Sequence, residues 1–480
     1  MIFLLSFAAA LAAEIGESSI EGEVRAIGSV LSDFPVDAEG TTMGQGPVLD
    51  TRVRLGWSRT FEPTLLTLEG DAFTGQFLGD TWDIPGDVDA RHRERLGVAT
   101  ADSFRARKIS MTRMLGSVQT QMGLTTSHWG LGMVANDGAH DPWFGRTDFG
   151  DRVLRIRGTT RPVASKETLY LTAAIDRVVE DDMAKMRDGQ AAWQGIVSLL
   201  NVDGDERVGG YMVYRYQYEI EDDRLTKAGL VDLTADQSFA LSDDWKLRIA
   251  AEAAGILGWT NRATTYNATD GVGVLSHGAT ALVGLEPREG EHLALTLRSG
   301  YASADGDPDD TRSRDFTFDR DFDVGAILFD ELMGGVEAAT HVLLSDPENA
   351  GQAPDGVDAT VTEGAFRRAV FLQPILELGP TSWLGLRGGL LLAWATGPVS
   401  QPFYTYRAGG TPTNHHDQPS EGSLLGTEFD WAITLGDQAV SDGPFVPALL
   451  VQGGHLYPGS PIAGGPNRID LYTLTGRLRW

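Results

Sequence analysis

Residues 245–259, WKLRIAAEAAGILGW, alternate between an apolar and a polar face. The odd-numbered residues form the apolar face, which begins with Trp245 and ends with Trp259, whereas Lys246 and Arg248 lie on the opposite face. Successive side chains of a strand point to opposite faces, and tryptophan is enriched at the two interfaces of a bilayer. This stretch therefore predicts a β-strand that crosses a membrane with one face toward lipid.

The same period of two recurs along the chain and predicts eighteen strands. Their expected ranges are 18–30, 49–59, 64–78, 104–114, 117–127, 152–161, 168–178, 192–202, 207–220, 229–241, 244–259, 272–286, 291–303, 365–378, 383–395, 423–435, 444–455 and 468–480. Short turns alternate with longer Gly- and Asp-rich loops, as in outer-membrane barrels with short periplasmic turns and long extracellular loops. The predicted fold class is all-β, a transmembrane antiparallel up-and-down β-barrel of about eighteen strands with both ends periplasmic. Sixteen or twenty strands remain alternatives.

The composition is compatible with a barrel and disfavours several other classes. The hydrophobic fraction of 42% is ordinary for a soluble protein, but a transmembrane strand turns only alternate residues to lipid, so the average hydropathy of a barrel looks soluble. The absence of cysteine excludes disulfides, thiolate metal ligands and cysteine nucleophiles. The net charge of −28 argues against nucleic acid as a partner, because its phosphates would be repelled.

The N-terminus, MIFLLSFAAALAAEIG, predicts a signal peptide at residues 1–13. A short apolar run from Ile2 to Leu11 is followed by small residues that suit cleavage after Ala12 or Ala13, although no Lys or Arg precedes the run. The alternative is a buried N-terminal helix. The expected division is a signal peptide at 1–13 and a barrel at 14–480.

The longest connection, residues 304–364, contains a stretch that does not fit a strand. Residues 322–344, FDVGAILFDELMGGVEAATHVLL, space their apolar positions by three and four, which is typical of a helix. We expect a helix inside this connection that plugs the lumen or caps its mouth. Two additional strands are the alternative.

The chain ends RIDLYTLTGRLRW at 468–480, with Tyr472, Leu474, Leu478 and the terminal Trp480 on one face. This pattern resembles the closing strand of outer-membrane barrels, which ends on an aromatic residue. The resemblance implies that these four residues form the assembly signal that the barrel-assembly machinery recognises.

Arginine is frequent on the polar face of the predicted strands. The lumen candidates for an anion path are Arg52, Arg54, Arg155, Arg157, Arg215, Arg248, Arg298, Arg387, Arg477 and Arg479. Guanidinium groups offer forked donors to carboxylate, phosphate or sulfate, so we predict a porin-like channel for passive passage of small or anionic solutes. The Arg155/Arg157 and Arg477/Arg479 pairs are the best candidates, because no acid alternates with them on their own strands. The alternative is that Arg and Glu ladders only fill the barrel with structural ion pairs.

Two motifs resemble those of a family of outer-membrane proteins from myxobacteria and their relatives. They are SHWGLGMVANDG at 127–138, followed by DFGDRV at 148–153, and RDFTFDRDFDVGAILFDELMG at 314–334. The resemblance covers most of the chain and implies the barrel, but it implies no activity. A weaker similarity, in architecture and charge alone, is to alginate-export-type and other porin-like barrels.

Other functions have less support in the sequence. An embedded lipid-modifying enzyme would need a nucleophile beside a base, and the only local pair is His128 with Asp137 or Asp141. No G-x-S-x-G motif is present, so we expect no catalytic residues, cofactor or resident metal, and His415–His416 is expected to be exposed. A surface-exposed structural or adhesive barrel stays open. The expected partners are outer-membrane lipid, lipopolysaccharide and the barrel-assembly machinery.

Overall fold

The computed structural model describes residues 18–79, 104–146, 150–163, 165–219, 223–262, 270–288, 293–306, 310–350, 356–357, 361–436, 445–462 and 467–480. Eighteen antiparallel strands form its wall. In chain order, β1 to β18 are Ser18–Pro35, Thr42–Phe61, Thr64–Gly79, Arg105–Leu115, Val118–Thr126, Arg152–Thr160, Leu169–Asp181, Gln190–Asp203, Glu206–Glu219, Arg224–Ala240, Trp245–Thr260, Val272–Pro287, Leu293–Ala302, Ala369–Thr381, Leu384–Ala395, Leu424–Gly436, Val446–Pro458 and Ile469–Arg479. Two further strands, Ala184–Lys185 and Arg312–Ser313, have only two residues each.

The sheet closes on itself between its first and last strands. β1 pairs with β18 from Glu23↔Arg479 to Leu31↔Leu471, and the backbones of Gly22 and Trp480 exchange two hydrogen bonds of 3.0 and 3.1 Å. Closure leaves no strand edge unpaired, so the wall is a complete barrel. The prediction of an eighteen-stranded antiparallel barrel is confirmed, and the alternatives of sixteen and twenty strands are wrong.

The barrel is apolar outside and polar inside. Large side chains such as Leu257 and Ile156 are about two-thirds exposed on the outer face, at 67% and 68%, whereas Asp176, Asp232 and Asp430 have no exposed surface on the inner face. Aromatic residues gather near both strand ends, Trp57, Trp245, Trp383, Phe445 and Trp480 on the short-turn side and Trp193, Tyr216, Trp259, Tyr301 and Tyr457 on the other. An apolar band between two aromatic girdles is the surface that a bilayer requires.

The long connection before β14 folds into the barrel. Its helical part is a π-helix at Leu328–Met333 that continues into α1 at Gly334–Ser345, followed by α2 at Pro347–Ala350; α3, Pro402–Arg407, lies in the next long loop. The helix predicted within 322–344 is therefore present. Edge-to-face contacts, with ring centroids 4.8 to 5.7 Å apart, join a cluster of buried phenylalanines, Phe316, Phe318, Phe322, Phe329, Phe366 and Phe371. We call residues 314–345 the plug segment.

The first hairpin extends farther than its sequence predicted. Residues 31–48 were expected to be a loop, but β1 and β2 continue pairing to Pro35↔Thr42. Phe34 and Met43 are buried in the same apolar cluster as the plug segment. This burial explains why a stretch whose sequence is typical of a loop forms part of a β-hairpin. Similarly, β10 begins at Arg224 rather than near 229.

The predicted signal peptide at 1–13 lies outside the described residues. Within those residues, no helix is long and apolar enough to span a bilayer.

Candidate pore constriction

The described residues between β5 and β6, 127–146 and 150–151, cross the lumen, and we call them the constriction loop. Arg107 of β4 donates to the carbonyl oxygen of Asp137 at 2.6 Å. Trp129 Nε1 donates to Asp232 of β10 at 3.0 Å. On a third part of the wall, Arg387 of β15 donates to the carbonyl oxygen of Trp143 at 2.7 Å. Since β4, β10 and β15 lie far apart around the barrel, these contacts stretch the loop across its interior.

The constriction loop also binds the plug segment. The Asn136 backbone donates to Asp319 Oδ2 at 2.9 Å, and its side-chain amide donates to the carbonyl oxygen of Asp321 at 3.0 Å. The Gly150 N–H donates to Asp321 Oδ2 at 2.7 Å. The two motifs that resemble the myxobacterial family thus meet inside the barrel. Membership of that family stays a prediction.

One buried carboxylate of the wall binds three consecutive N–H groups of the plug segment. Glu428 of β16, fully buried, accepts the backbone N–H groups of Ala326, Ile327 and Leu328 at 2.6, 2.9 and 2.8 Å. These donors lie at and just before the start of the π-helix, where N–H groups lack partners within the helix. Glu428 therefore supplies the acceptors that the segment itself cannot.

A group of carboxylates lies where the constriction loop and plug segment meet. The oxygens of Asp151, Asp182 and Asp319 are within 4.8 Å of one another, and Arg320 Nε lies 3.2 Å from Asp182. Burial, together with the charges of Asp182 and Asp321, raises the pKa of Asp319 well above its usual range. A neutral Asp319 reduces the repulsion within this group.

Two cavities adjoin the constriction loop, and Asp141 and Pro142 line both. The larger has a volume of 540 Å³, and its charged or titratable lining includes His128, His140, Arg207, Asp236, Arg248 and Arg298. The smaller has a volume of 230 Å³ and is lined in part by Arg25, Arg146, Asp330, Glu331, Arg387 and Arg477. Arg207 and Arg248 lie near the short turns that follow β8 and β10, so the larger cavity extends toward the periplasmic side.

Most of the predicted lumen arginines face an acid on a neighbouring strand or its loop. The ion pairs, with N–O distances of 2.5 to 2.7 Å, are Arg52–Glu23, Arg54–Asp71, Arg155–Asp176, Arg215–Asp181 and Arg248–Asp236. Among the described residues, Arg157 makes no hydrogen bond or ion pair. No acid alternates with its neighbour Arg155 on β6 itself, but Asp176 is the partner of Arg155 across the β6–β7 ladder.

The remaining four candidates hold the constriction loop. Arg477 and Arg479 donate to Asp141 at 2.5 and 2.8 Å, and the Arg298 guanidinium lies 4.7 Å from the centre of the Trp143 ring. Arg387 binds the carbonyl oxygen of the same tryptophan and also Glu377 of β14, at 2.7 Å. Strand alternation could not identify these contacts, because the acceptors come from a loop that folds inward.

Sequence reasoning also missed several acids of the lumen. Asp176, Asp232, Asp236, Glu428 and Asp430 all lie on inner faces, and they reduce the basic character that was predicted there. Register could have revealed Asp176 and Asp236, since both lie on strands that are paired through hairpins with the strands of Arg155 and Arg248.

The residues of the predicted assembly signal lie on the outer surface. Tyr472 and Leu474 are 45% and 51% exposed. The Trp480 ring covers Gly22, where an added Cβ would lie 2.2 Å from the ring. Leu478 is half-buried on the same strand. Their role in assembly stays a prediction.

One histidine differs from expectation and another agrees with it. His415 is buried, with 2% of its surface exposed, so the prediction of exposure is wrong for this residue. His128 lies beside Asp137, one of its two expected partners, with 3.8 Å between Nδ1 and Oδ1. Although burial opposes ionisation, the hydrogen bond from His140 and the nearby His128 lower the pKa of Asp137 to about 2.

Comparison with solved structures agrees with this architecture. A BenF-like porin from Pseudomonas fluorescens Pf-5 matches with a TM-score of 0.51 at 8% identity, over 97% of this chain and 98% of that chain. OccAB1 of Acinetobacter baumannii matches with a TM-score of 0.51 at 9% identity, over 98% and 99%. The chain has the fold of an outer-membrane porin. The outer membrane protein opdK from Pseudomonas aeruginosa matches with a TM-score of 0.50 at 10% identity, over 96% and 98%.

No protein-family model matches the chain, and no curated protein matches its sequence. The porin fold, the apolar outer band and the aromatic girdles together place this β-barrel in the outer membrane.

Proposed function

We propose that this protein is a porin-like channel that passes small solutes by diffusion across the outer membrane and catalyses no reaction. The two cavities beside the constriction loop, 540 and 230 Å³ in volume and each lined by several charged side chains, carry the proposal. Barrels of sixteen to eighteen strands are wide enough for an aqueous channel. An inward loop narrows such a lumen without closing it where cavities remain on both sides of the loop.

The smaller cavity supports a preference for anions. Arg25, Arg146, Arg387 and Arg477 line it, against three acids, Asp141, Asp330 and Glu331. Three of these arginines, Arg146, Arg387 and Arg477, are themselves paired with Asp50, Glu377 and Asp141, so we expect the selectivity to be modest. The weak net positive charge of one cavity would favour small anions electrostatically.

Planar-bilayer recording under a salt gradient tests this proposal. We expect discrete conductance steps and a reversal potential on the anion-selective side, and we expect Arg25→Gln to move that potential toward zero. The matched control is Arg177→Gln, because the Arg177 guanidinium stacks over Trp193 at 5.6 Å on the outer face. Absence of conductance steps in the full chain would overturn the proposal, and their absence also in a variant lacking 304–364 would exclude a plugged pore.

The aromatic cluster of the plug segment favours a second candidate, a closed structural or adhesive barrel. Phe316, Phe318 and Phe329 are at most 2% exposed within the lumen, and such packing could seal its extracellular half. In that case the full chain conducts no ions. Conductance that arises only after removal of 304–364 would identify a plugged pore rather than a barrel without a path.

A further inference from the structure

The constriction loop brings two imidazoles and one carboxylate together. Asp137 Oδ1 lies 3.5 Å from Nδ1 of His140 and 3.8 Å from Nδ1 of His128. Each of the three residues offers one potential ligand atom, and these three atoms lie within 4.8 Å of one another. The centroids of the two imidazole rings are 4.7 Å apart. Donors around a tetrahedral ion with bonds near 2.0–2.1 Å are about 3.3 Å apart, so small side-chain movements would complete the geometry.

The backbone around these three residues is held in place before any ion binds. Arg107 Nη2 binds the Asp137 carbonyl oxygen at 2.6 Å, and the Ala139 N–H donates to Asp137 Oδ1 at 3.1 Å. Gly132 has a φ of +84°, and a Cβ there would lie 3.3 Å from His128 Cε1. A preorganised set of ligands binds more tightly because less entropy is lost on binding.

The three residues are also accessible from the lumen. His128 and His140 line the 540 Å³ cavity, and the side chains of His128, Asp137 and His140 are 25%, 18% and 70% exposed. The group of Asp151, Asp182 and Asp319, by contrast, consists of carboxylates alone and includes the buried Asp319. A cation that diffuses through the larger cavity would reach the histidines directly.

We propose that His128, Asp137 and His140 form a binding site for a divalent transition-metal ion such as Zn²⁺ or Co²⁺. Imidazole suits zinc, copper and nickel, whereas calcium and magnesium require mainly oxygen ligands. Three protein ligands leave at least one coordination position open to water, as in exchangeable zinc sites. The site extends the proposed channel function, because an ion bound at this wall would narrow the larger cavity. It rests on that proposed function only for the route by which the ion arrives.

The site is tested by metal binding to the full barrel, produced without a polyhistidine tag and folded in detergent micelles. Calorimetric titration with ZnCl₂ should give one ion per chain, and Co²⁺ should give visible absorption bands of a nitrogen- and oxygen-ligated ion. Excess CaCl₂ should not displace either ion. His128→Asn and His140→Asn should each weaken the affinity at least tenfold, while the β-sheet circular dichroism stays unchanged.

The matched control is His277→Asn, since His277 lies on the exposed side of β12, in ring contact with Tyr301 at 5.6 Å. Equal zinc affinity in the full chain and in the His128→Asn/His140→Asn variant would overturn the site, and so would the absence of zinc binding. The binding measurement does not depend on conduction. A chain that binds zinc but passes no current would contradict the channel and support the metal site.

Discussion

Arg107 connects the wall of the barrel to the constriction loop with a side chain that has no exposed surface. Its guanidinium lies 2.8 Å from Glu69 and 3.8 Å from Asp71 and also binds a loop carbonyl. Breaking a buried ion pair costs about 3–5 kcal/mol, but Lys108 and Arg54 would still face these acids. We therefore expect Arg107→Met to lower the free energy of unfolding by about 2–3 kcal/mol, as measured by urea titration in lipid vesicles.

Arg113 provides the control for this residue, because it lies on the same strand and is exposed. Arg113→Met should change the free energy of unfolding by no more than about 0.5 kcal/mol. If the two variants lose the same free energy of unfolding, the burial and contacts of Arg107 contribute nothing specific to the stability of the barrel.

Glu428 joins the plug segment to β16 through three hydrogen bonds. In Glu428→Ala, the three backbone N–H groups of residues 326–328 lose their acceptor, and each buried unsatisfied donor costs about 1–3 kcal/mol. We expect the segment to detach, which should increase the single-channel conductance at least twofold and expose the 314–345 region to protease. Glu428→Gln keeps a carbonyl oxygen and should have a smaller effect.

Glu421→Ala controls for the loss of a negative charge near the same strand, since Glu421 is exposed and lies before β16. It should leave both conductance and proteolysis unchanged. If Glu428→Ala behaves in the same way, the apolar packing and the other hydrogen bonds of the plug segment suffice to hold it.

The closure of the whole barrel brings Trp480 onto Gly22, with Phe445 beside it at a centroid distance of 6.3 Å. If Trp480 is part of an assembly signal, Trp480→Ala should slow machinery-assisted folding into vesicles several-fold and change unassisted folding little. Folding rates with and without the purified assembly machinery measure this difference. Trp383→Ala, in the same girdle and 51% exposed, should slow neither reaction. A proportional decrease in both rates for Trp480→Ala would assign it a purely structural role.

The amino-acid sequence by itself determined most of the strands and the lipid-facing surface, and it predicted about eighteen strands, with sixteen and twenty left open until the barrel was seen to close. The alternation from Trp245 to Trp259 is a local property of the chain, and strands that bury one face must repeat it. The helix predicted near 322–344 was similarly visible from its local spacing, and the structure has it at 328–345. The extent of the first hairpin was underestimated, because contacts of Phe34 and Met43 with the apolar cluster order it, and β10 also begins earlier than predicted.

The tertiary structure decided what fills the lumen and which charges remain available there. Arg155 faces Asp176 because of strand register, and Arg477 faces Asp141 because a loop 336 residues earlier folds inward. The contact between Asn136 and Asp319, and the juxtaposition of His128, Asp137 and His140, likewise depend on how loops pack within a closed wall. Alternation reports which face a residue occupies, but pairing between distant residues depends on register and loop packing, which arise only when the barrel closes.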